Sequence, residues 1–480
     1  MSAGKRVVWA ALVLVPVFLL RVEPACAQAQ STQAQDIQKL KDELQKLEQM
    51  MMDVKSQISA LENSQNAPAP APSSAPAPSS AAAPAPTSAL STAPAASSQP
   101  RKPDTGGSLE LYGFAMLDSG YNFGQINPDW FDVVRPTQLP SFKDEFGANG
   151  TTFWGVRQSR FGIKTSTPTP LGDLKTTFEF ELFGTGVDAG QTTFRLRHAY
   201  GEIGQFGAGQ TWSPFMDIDV FPNSLEYWGP NGMVFFRNVQ FRWMPIRGEK
   251  SRLTFAVERP GASADQGVYA DRIELQGVKP KFDMPDFSWE ARLGRSWGYV
   301  EAAGIFRKIS WVDMNKTATR DLSGDAFGWG VNLSSNVKFG SKDTGRFQVV
   351  YGPGIENYMN DAPTDIGIKN NFSNPVTPIK GVALPVLGAV AFVDHNWNER
   401  FSSAIGYSME NIWNSDAQKP SEFHQGHYAL CNLLFYPVKN VMFGGEFQFG
   451  RRVNFQDGFN VNDYRIQFSA KYNFSKVFTY

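Results

Sequence analysis

The chain has 480 residues, a formal net charge of -1, 42% hydrophobic and 19% charged residues, and 43 glycines. It holds 38 Phe, 12 Trp and 14 Tyr, of which only Trp9 and Phe18 precede Leu109. The near-neutral balance excludes a dedicated nucleic-acid binder. The lack of any uninterrupted run of about 18 apolar residues excludes a helical membrane protein.

The N-terminus reads as an export signal over residues 1–27. Lys5 and Arg6 form a charged n-region, Val7 to Leu20 is apolar, and Ala25-Cys26-Ala27 is a small-residue cleavage site. Cleavage would leave Cys431 as the one cysteine, so an intrachain disulfide is excluded.

Residues 36–62 carry a strict heptad seam of Ile37, Leu40, Leu44, Leu47, Met51, Val54, Ile58 and Leu61, with Lys, Glu, Gln and Asp between. The alternating spacing of three and four predicts a coiled-coil helix and leaves its oligomeric state open. Residues 64–105 follow, rich in Pro, Ala and Ser. Such a stretch cannot bury a core and predicts an extended, disordered linker.

From 109 to 480 the pattern changes to period two. In Leu174 to Leu182, the residues Leu174, Thr176, Phe178, Phe180 and Leu182 share one face, and Lys175, Thr177, Glu179 and Glu181 the other. The last strand repeats this, with Tyr464, Ile466, Phe468, Ala470, Tyr472 and Phe474 opposing Asp463, Arg465, Gln467, Ser469 and Lys471. Alternation alone fits a soluble sandwich or a membrane barrel. Three features select the barrel: short and long separators alternate, aromatics cluster at strand ends, and the chain ends on Tyr480. The alternation yields sixteen strands from 109–121 to 463–480, among them 154–166, 233–245 and 346–358. The predicted fold is an all-β, sixteen-stranded antiparallel outer-membrane barrel, and an even count puts both its ends in the periplasm.

An enzyme is disfavoured. The four histidines are His198, His395, His424 and His427, and neither G-x-S-x-G nor H-E-x-x-H occurs. His424, His427 and Cys431 have a metal-like spacing, but three residues along a strand turn the two histidines to opposite faces. No catalytic residue, metal or cofactor is expected.

A channel is favoured. The lumen face would carry Arg160, Lys164, Lys175, Arg195, Arg197, Arg242 and Arg292, joined by Arg252, Arg346, Arg452, Arg465 and Lys471. These twelve basic positions stand against six acidic ones. Rings of basic side chains select anions. Arg195 and Arg197 are two apart on one strand, with Phe194, Leu196 and Tyr200 assigned to the lipid face. The loop from Trp212 to Gly232 follows an unusually short strand and holds Asp217, Asp219, Glu226, Tyr227 and Trp228. It is expected to fold inward as a constriction loop.

Gln158-Ser-Arg-Phe-Gly-Ile-Lys164, with Leu-Gly-Asp-Leu-Lys175 and Phe-Glu-Phe-Glu181, resembles the second and third strands of Gram-negative general porins. Arg195 to Gly204 with Gly207 to Trp212 is similar to the strand pair entering their constriction loop. The heptad helix, the linker and Trp297-Gly-Tyr-Val-Glu-Ala-Ala-Gly-Ile305 are more similar to the DcaP-like trimeric porins. The resemblance implies a homotrimer in outer-membrane lipid that passes small anionic solutes such as dicarboxylates. The expected N-terminal coiled coil lies in the periplasm, with peptidoglycan as a candidate contact. The alternative is a structural anchor tethering the envelope through that coiled coil, with the barrel as its foot.

Overall fold

The computed structural model describes residues 106–248, 250–261 and 272–480. The signal, coiled-coil and linker expectations at 1–27, 36–62 and 64–105 lie outside the described residues.

The described residues form twenty strands: β1 Ser108–Asn122, β2 Thr151–Gly155, β3 Arg160–Thr167, β4 Leu174–Phe183, β5 Thr192–Ile203, β6 Phe206–Trp212 and β7 Arg237–Arg247. After them come β8 Ser251–Glu258, β9 Val278–Lys281, β10 Asp286–Arg295, β11 Gly298–Asp313, β12 Gly324–Phe339 and β13 Asp343–Pro353. The rest are β14 Ile366–Asn370, β15 Ile379–Ala383, β16 Pro385–Asn398, β17 Phe401–Ile412, β18 Phe423–Phe435, β19 Val441–Asn454 and β20 Asn460–Thr479. Eighteen of them form one antiparallel sheet, which β1 closes by pairing with β20 from Ser108↔Thr479 to Asn122↔Arg465. The short strands β2 and β3 both pair with β1, and β9 and β10 both pair with β11. Each of these two pairs is one interrupted stave, so the barrel has sixteen. The hairpin β14–β15 stands apart within a loop.

The alternation works as expected. Phe178, Phe241, Trp243, Phe255, Phe306, Phe327, Phe447 and Phe468 project outward and are exposed. Glu179, Glu181, Arg197, Glu446, Arg465 and Gln467 point inward and are buried. An apolar outside around a polar inside is stable only where lipid is the outer solvent. Closure also pairs the sheet edges that water would otherwise have to satisfy. At the short-turn end, Asn440 (φ 68°) and Gly340 (φ 70°) supply the left-handed backbone that tight reversals need.

Four expectations need correction. The second stave is broken at 156–159, where Arg157 turns inward to Asp132 and Ser159 bonds with the Met116 backbone. The stave expected at 346–358 ends at Pro353, because Ile355, Tyr358 and Met359 pack into the lumen. The strand expected to start at 233 starts at Arg237, since Phe235 N donates to Tyr358 O and Val234 bridges Met359. In β5, Glu179 pairs with His198 and Phe180 with Leu196, so Arg197 is the extra residue of a bulge. A bulge reverses the facing of everything beyond it. Tyr200 is therefore in the lumen, beneath the Arg242 guanidinium, and not on the lipid face.

Three long loops enter the barrel. Val134 comes from 123–150, Phe215, Met216, Val220, Met233 and Val234 from 213–236, and Ile355, Tyr358 and Met359 from 354–365. They form one apolar cluster with Ile305, Val350, Val386, Val390, Phe392, Tyr428 and Leu430 of the inner wall. Burial of that much apolar surface fixes the loops against the wall between β11 and β18. The inward side chains that stay half-buried or exposed concentrate on β3–β8: Arg160, Lys164, Lys175, Arg195, Arg242 and Arg252.

Candidate functional site

Glu179 and Glu181 lie two residues apart on β4 and share the lumen face. Each neighbouring strand brings cations to them. Arg197 Nε is 2.6 Å from Glu179 Oε1 and its Nη1 is 2.7 Å from Glu181 Oε2. From β3, Arg160 lies 3.3 Å from Glu181 and 3.6 Å from Glu179. Arg195 and Arg237 approach Glu181 at 3.8 and 3.7 Å. Tyr112 Oη donates to Glu179 at 2.8 Å, and Tyr227 of the inserted loop donates to Glu181.

Four guanidiniums thus surround two carboxylates, leaving two positive charges in excess. Arg197 and Arg237 are buried over the Trp212 ring, at 5.3 and 5.0 Å from its centroid. The side chains of Arg160 and Arg195 keep 24% and 29% of their surface open to the lumen. Arg160 Nε and Arg237 Nη1 have no hydrogen-bond partner among the described residues. Surplus positive charge carried by the lumen-open Arg160 and Arg195 can meet an anion in the lumen.

The bulge in β5 assembles this site. Without the extra residue, Arg197 and His198 would face opposite sides. With it, both face inward, and His198 is held by Thr211 Oγ1 at 3.0 Å and the edge of Trp212.

A second centre sits farther around the wall, on β10 and β11. Arg292 of β10 is 2.5 Å from Asp217 Oδ1, bonds Asp219, and is 2.5 Å from Glu301 Oε2. Its guanidinium also lies 3.9 Å from the Tyr299 ring centroid, while Tyr299 Oη and Ser334 Oγ each donate to Asp217 at 2.6 Å. Asn336 Nδ2 donates to Asp219 O at 2.7 Å, and Arg346 donates to the same carbonyl. Here one cation serves three carboxylates.

The other loop residues named from the sequence are also tied down. Glu226 accepts from the backbone N–H groups of Val134, Trp228 and Gly229 and from Tyr428 Oη. Tyr227 stacks on Phe183 with centroids 3.9 Å apart. Trp228 Nε1 donates to Asn360 O at 2.7 Å, and the Trp228 ring covers Arg135. Arg135 sits 4.1 Å from the centroids of both Trp130 and Trp228 and bonds Asp361 at 2.8 Å, so one side chain clasps three loops.

The basic residues named from the sequence therefore separate. Arg160, Arg195 and Arg197 meet at the Glu179–Glu181 pair. Arg242 stacks on Tyr200 and bonds Gln240 and the Trp212 carbonyl. Lys164 lies 4.6 Å from the Tyr112 ring centroid, and Lys175 is exposed beside the 168–173 turn. Arg292 belongs to the second centre. Sequence reasoning missed Arg237, Arg135 and Tyr112. Arg237 shares parity with outward Val239, and it turns inward because its strand has only just left the loop. Arg135 lies in a loop, where no periodicity marks it. Tyr112 alternates with Leu109 and Leu111 and was legible in principle.

No curated protein sequence matches the chain. Among solved structures, the outer membrane channel DcaP of Acinetobacter baumannii aligns with a TM-score of 0.62 at 20% identity, covering 78% of this chain and 99% of that one. An anion-selective porin from Comamonas acidovorans aligns at 0.48 with 10% identity, over 77% of this chain and 100% of that one. OmpT of Vibrio cholerae aligns at 0.45 with 10% identity, over 78% and 99%. The sequence model of the DcaP outer membrane protein family matches residues 108–474, from the first strand into the last, and the chain belongs to that family.

Proposed function

We propose that the chain is a passive outer-membrane channel biased toward small anions, dicarboxylates among them. The observation that carries this reading is the cluster of four guanidiniums on two carboxylates, with Arg160 and Arg195 open to the lumen. Inside a narrow low-dielectric wall, two surplus positive charges raise the local anion concentration and repel cations. A diacid can meet one guanidinium with each carboxylate, which a monovalent anion cannot do. Reversal potentials in a KCl gradient test the reading. Chloride should be preferred over potassium, and more strongly at low salt, where screening is weakest. A cation-selective pore overturns it, and a folded barrel that passes no current supports the anchor instead.

We further propose that residues 1–27 are removed on export, that the chain assembles as a homotrimer, and that the 36–62 coiled coil and its linker occupy the periplasm near peptidoglycan. Porin-like barrels associate through broad outer walls, so a chain starting near Gly106 should still insert and trimerise. Monomers after that truncation would transfer assembly to the coiled coil.

A further inference from the structure

Two of the polar patches on the outward face of the barrel differ in how their charge is balanced. On β9–β12, Lys308 lies 3.4 Å from Asp283 and 3.3 Å from Asp325, and Lys281 lies 3.5 Å from Asp283. That patch neutralises itself. On β18–β20 the outward side chains fall into cross-strand rows. One row is Ala429, Phe449 and Tyr464, and the next toward the long-loop end is His427, Arg451 and Asn462. Phe449 and Tyr464 contact each other with ring centroids 5.5 Å apart, and Phe447 adds to the same aromatic group. Such aromatics mark the edge of the hydrocarbon layer. The Arg451 row therefore sits one step past that edge, at the level of the outer-leaflet headgroups.

Among the described residues, Arg451 has no acidic side chain within ion-pairing distance. Its guanidinium meets only the amide oxygens of Asn460 at 3.2 Å and Asn462 at 3.5 Å. The carboxylates carried by β17–β20 are Glu410, Glu446 and Asp463, all buried on the lumen face. In the adjoining loops, Asp416 accepts from Asn370 N, Asp457 accepts from Asn454 Nδ2 and Phe459 N, and Glu422, whose carbonyl accepts from Phe455 N, forms no ion pair with Arg451 among the described residues. His427 contacts Tyr407 Oη through Nδ1. When the phenol donates, the imidazole proton is on Nε2 as a free donor. The surroundings must supply the counter-charge to this row.

We propose that the His427–Arg451–Asn462 row binds a phosphate group of an anionic glycolipid in the outer leaflet. Arg451 gives a forked, permanently charged donor, His427 a second donor, and Asn462 an amide that can turn to donate as well. Phe449 and Tyr464 below offer an apolar wall for the acyl chains. The self-neutralised patch at Lys308 lacks the uncompensated charge and should not bind.

The test uses the full chain in mild detergent with lipid A as probe, either diphosphorylated or with both phosphates removed. Native mass spectrometry reads the fraction of barrels carrying glycolipid. The wild type should retain the phosphorylated form and release the dephosphorylated one. Arg451→Gln with His427→Gln should weaken retention about tenfold, the scale of one charge-assisted contact. Lys308→Gln should leave it unchanged. The proposal fails if wild type holds both forms equally, if it holds neither, or if the folded double variant holds the phosphorylated form as wild type does. Heat-dependent migration reports folding, and if the double variant does not fold, the two lipid forms on wild type still decide.

Discussion

Arg197 on β5 and Arg292 on β10 face the same lumen from staves four apart, both largely buried, both engaged by more than one carboxylate. They differ in which charge is scarce. Around Arg197, four guanidiniums compete for Glu179 and Glu181, so acid is limiting and Arg160 and Arg195 keep part of their charge for the lumen. Around Arg292, three carboxylates compete for one guanidinium, so the cation is consumed in holding Asp217 and Asp219 of the inserted loop to Glu301 of the wall. An inward arginine is thus no measure of anion preference by itself. On the proposed reading, the ratio of bases to acids within about 4 Å separates an arginine left to act on solute from one that rivets structure.

Removal of each arginine should expose that difference. Arg292→Ala leaves Asp217 and Glu301 buried with no cation, a change that costs about 3–5 kcal/mol. The loop 213–236 should lift from β10–β12, lowering the unfolding midpoint in heat-migration assays and raising single-channel conductance. Arg292→Lys should recover only part, because one ammonium cannot bridge three carboxylates. Arg197→Ala also removes a buried partner, yet Arg160, Arg195 and Arg237 stay within 3.3–3.8 Å of Glu181. Its cost should be smaller, about 1–2 kcal/mol. Equal losses for the two variants would mean that the surplus guanidiniums do not compensate, and the comparison would fall.

Period-two alternation carried the barrel, its stave count and most inward positions, because lipid on one side and polar groups on the other constrain every second residue. The same rule misplaced Tyr200. One inserted residue at Arg197 reverses parity, and no composition marks it. Asp217 and Asp219 were legible as loop acids in an inward-folding segment, but their pairing with Arg292 was not, since it joins elements about 75 residues apart. The clasp of Arg135 between Trp130 and Trp228 lies wholly in loops, where side-chain direction follows from tertiary packing alone. Those long-range loop contacts are what alternation cannot report.

A dependence on pH is expected in the loop 354–365. Glu356 is fully buried there and neither carboxylate oxygen has a hydrogen-bond partner among the described residues. Burial, reinforced by Asp365, holds its carboxyl well above the usual range. The folded state therefore keeps this proton longer than the unfolded chain does. Its contribution is complete at low pH and declines as pH rises from the ordinary carboxylate range through the raised value. Proteolysis within 354–365 should be faster at high pH than at low pH, and Glu356→Gln should flatten that dependence. A wild-type loop equally resistant at both pH values would show that the carboxylate finds a compensating cation.

The mildest change to stability should be the most informative about transport. Arg160→Gln with Arg195→Gln removes the two lumen-open guanidiniums and keeps hydrogen-bonding side chains of similar reach. Arg197 still holds Glu179 at 2.6 Å and Glu181 at 2.7 Å, and Arg237 remains 3.7 Å from Glu181. The local balance falls from two surplus positive charges to none, while the buried pairs stay intact. Unfolding should shift by about 0.5 kcal/mol or less, as for partly exposed ion pairs. The chloride-over-potassium ratio should fall about threefold at low salt and converge with wild type as rising salt shortens the range of the charges. Block by a dicarboxylate should weaken more than block by a monocarboxylate, since only the former can use both guanidiniums. Unchanged selectivity with unchanged stability would move anion preference to other open cations, Arg242 and Arg252 first, and would reduce the Glu179–Glu181 cluster to a structural counterpart of Arg292.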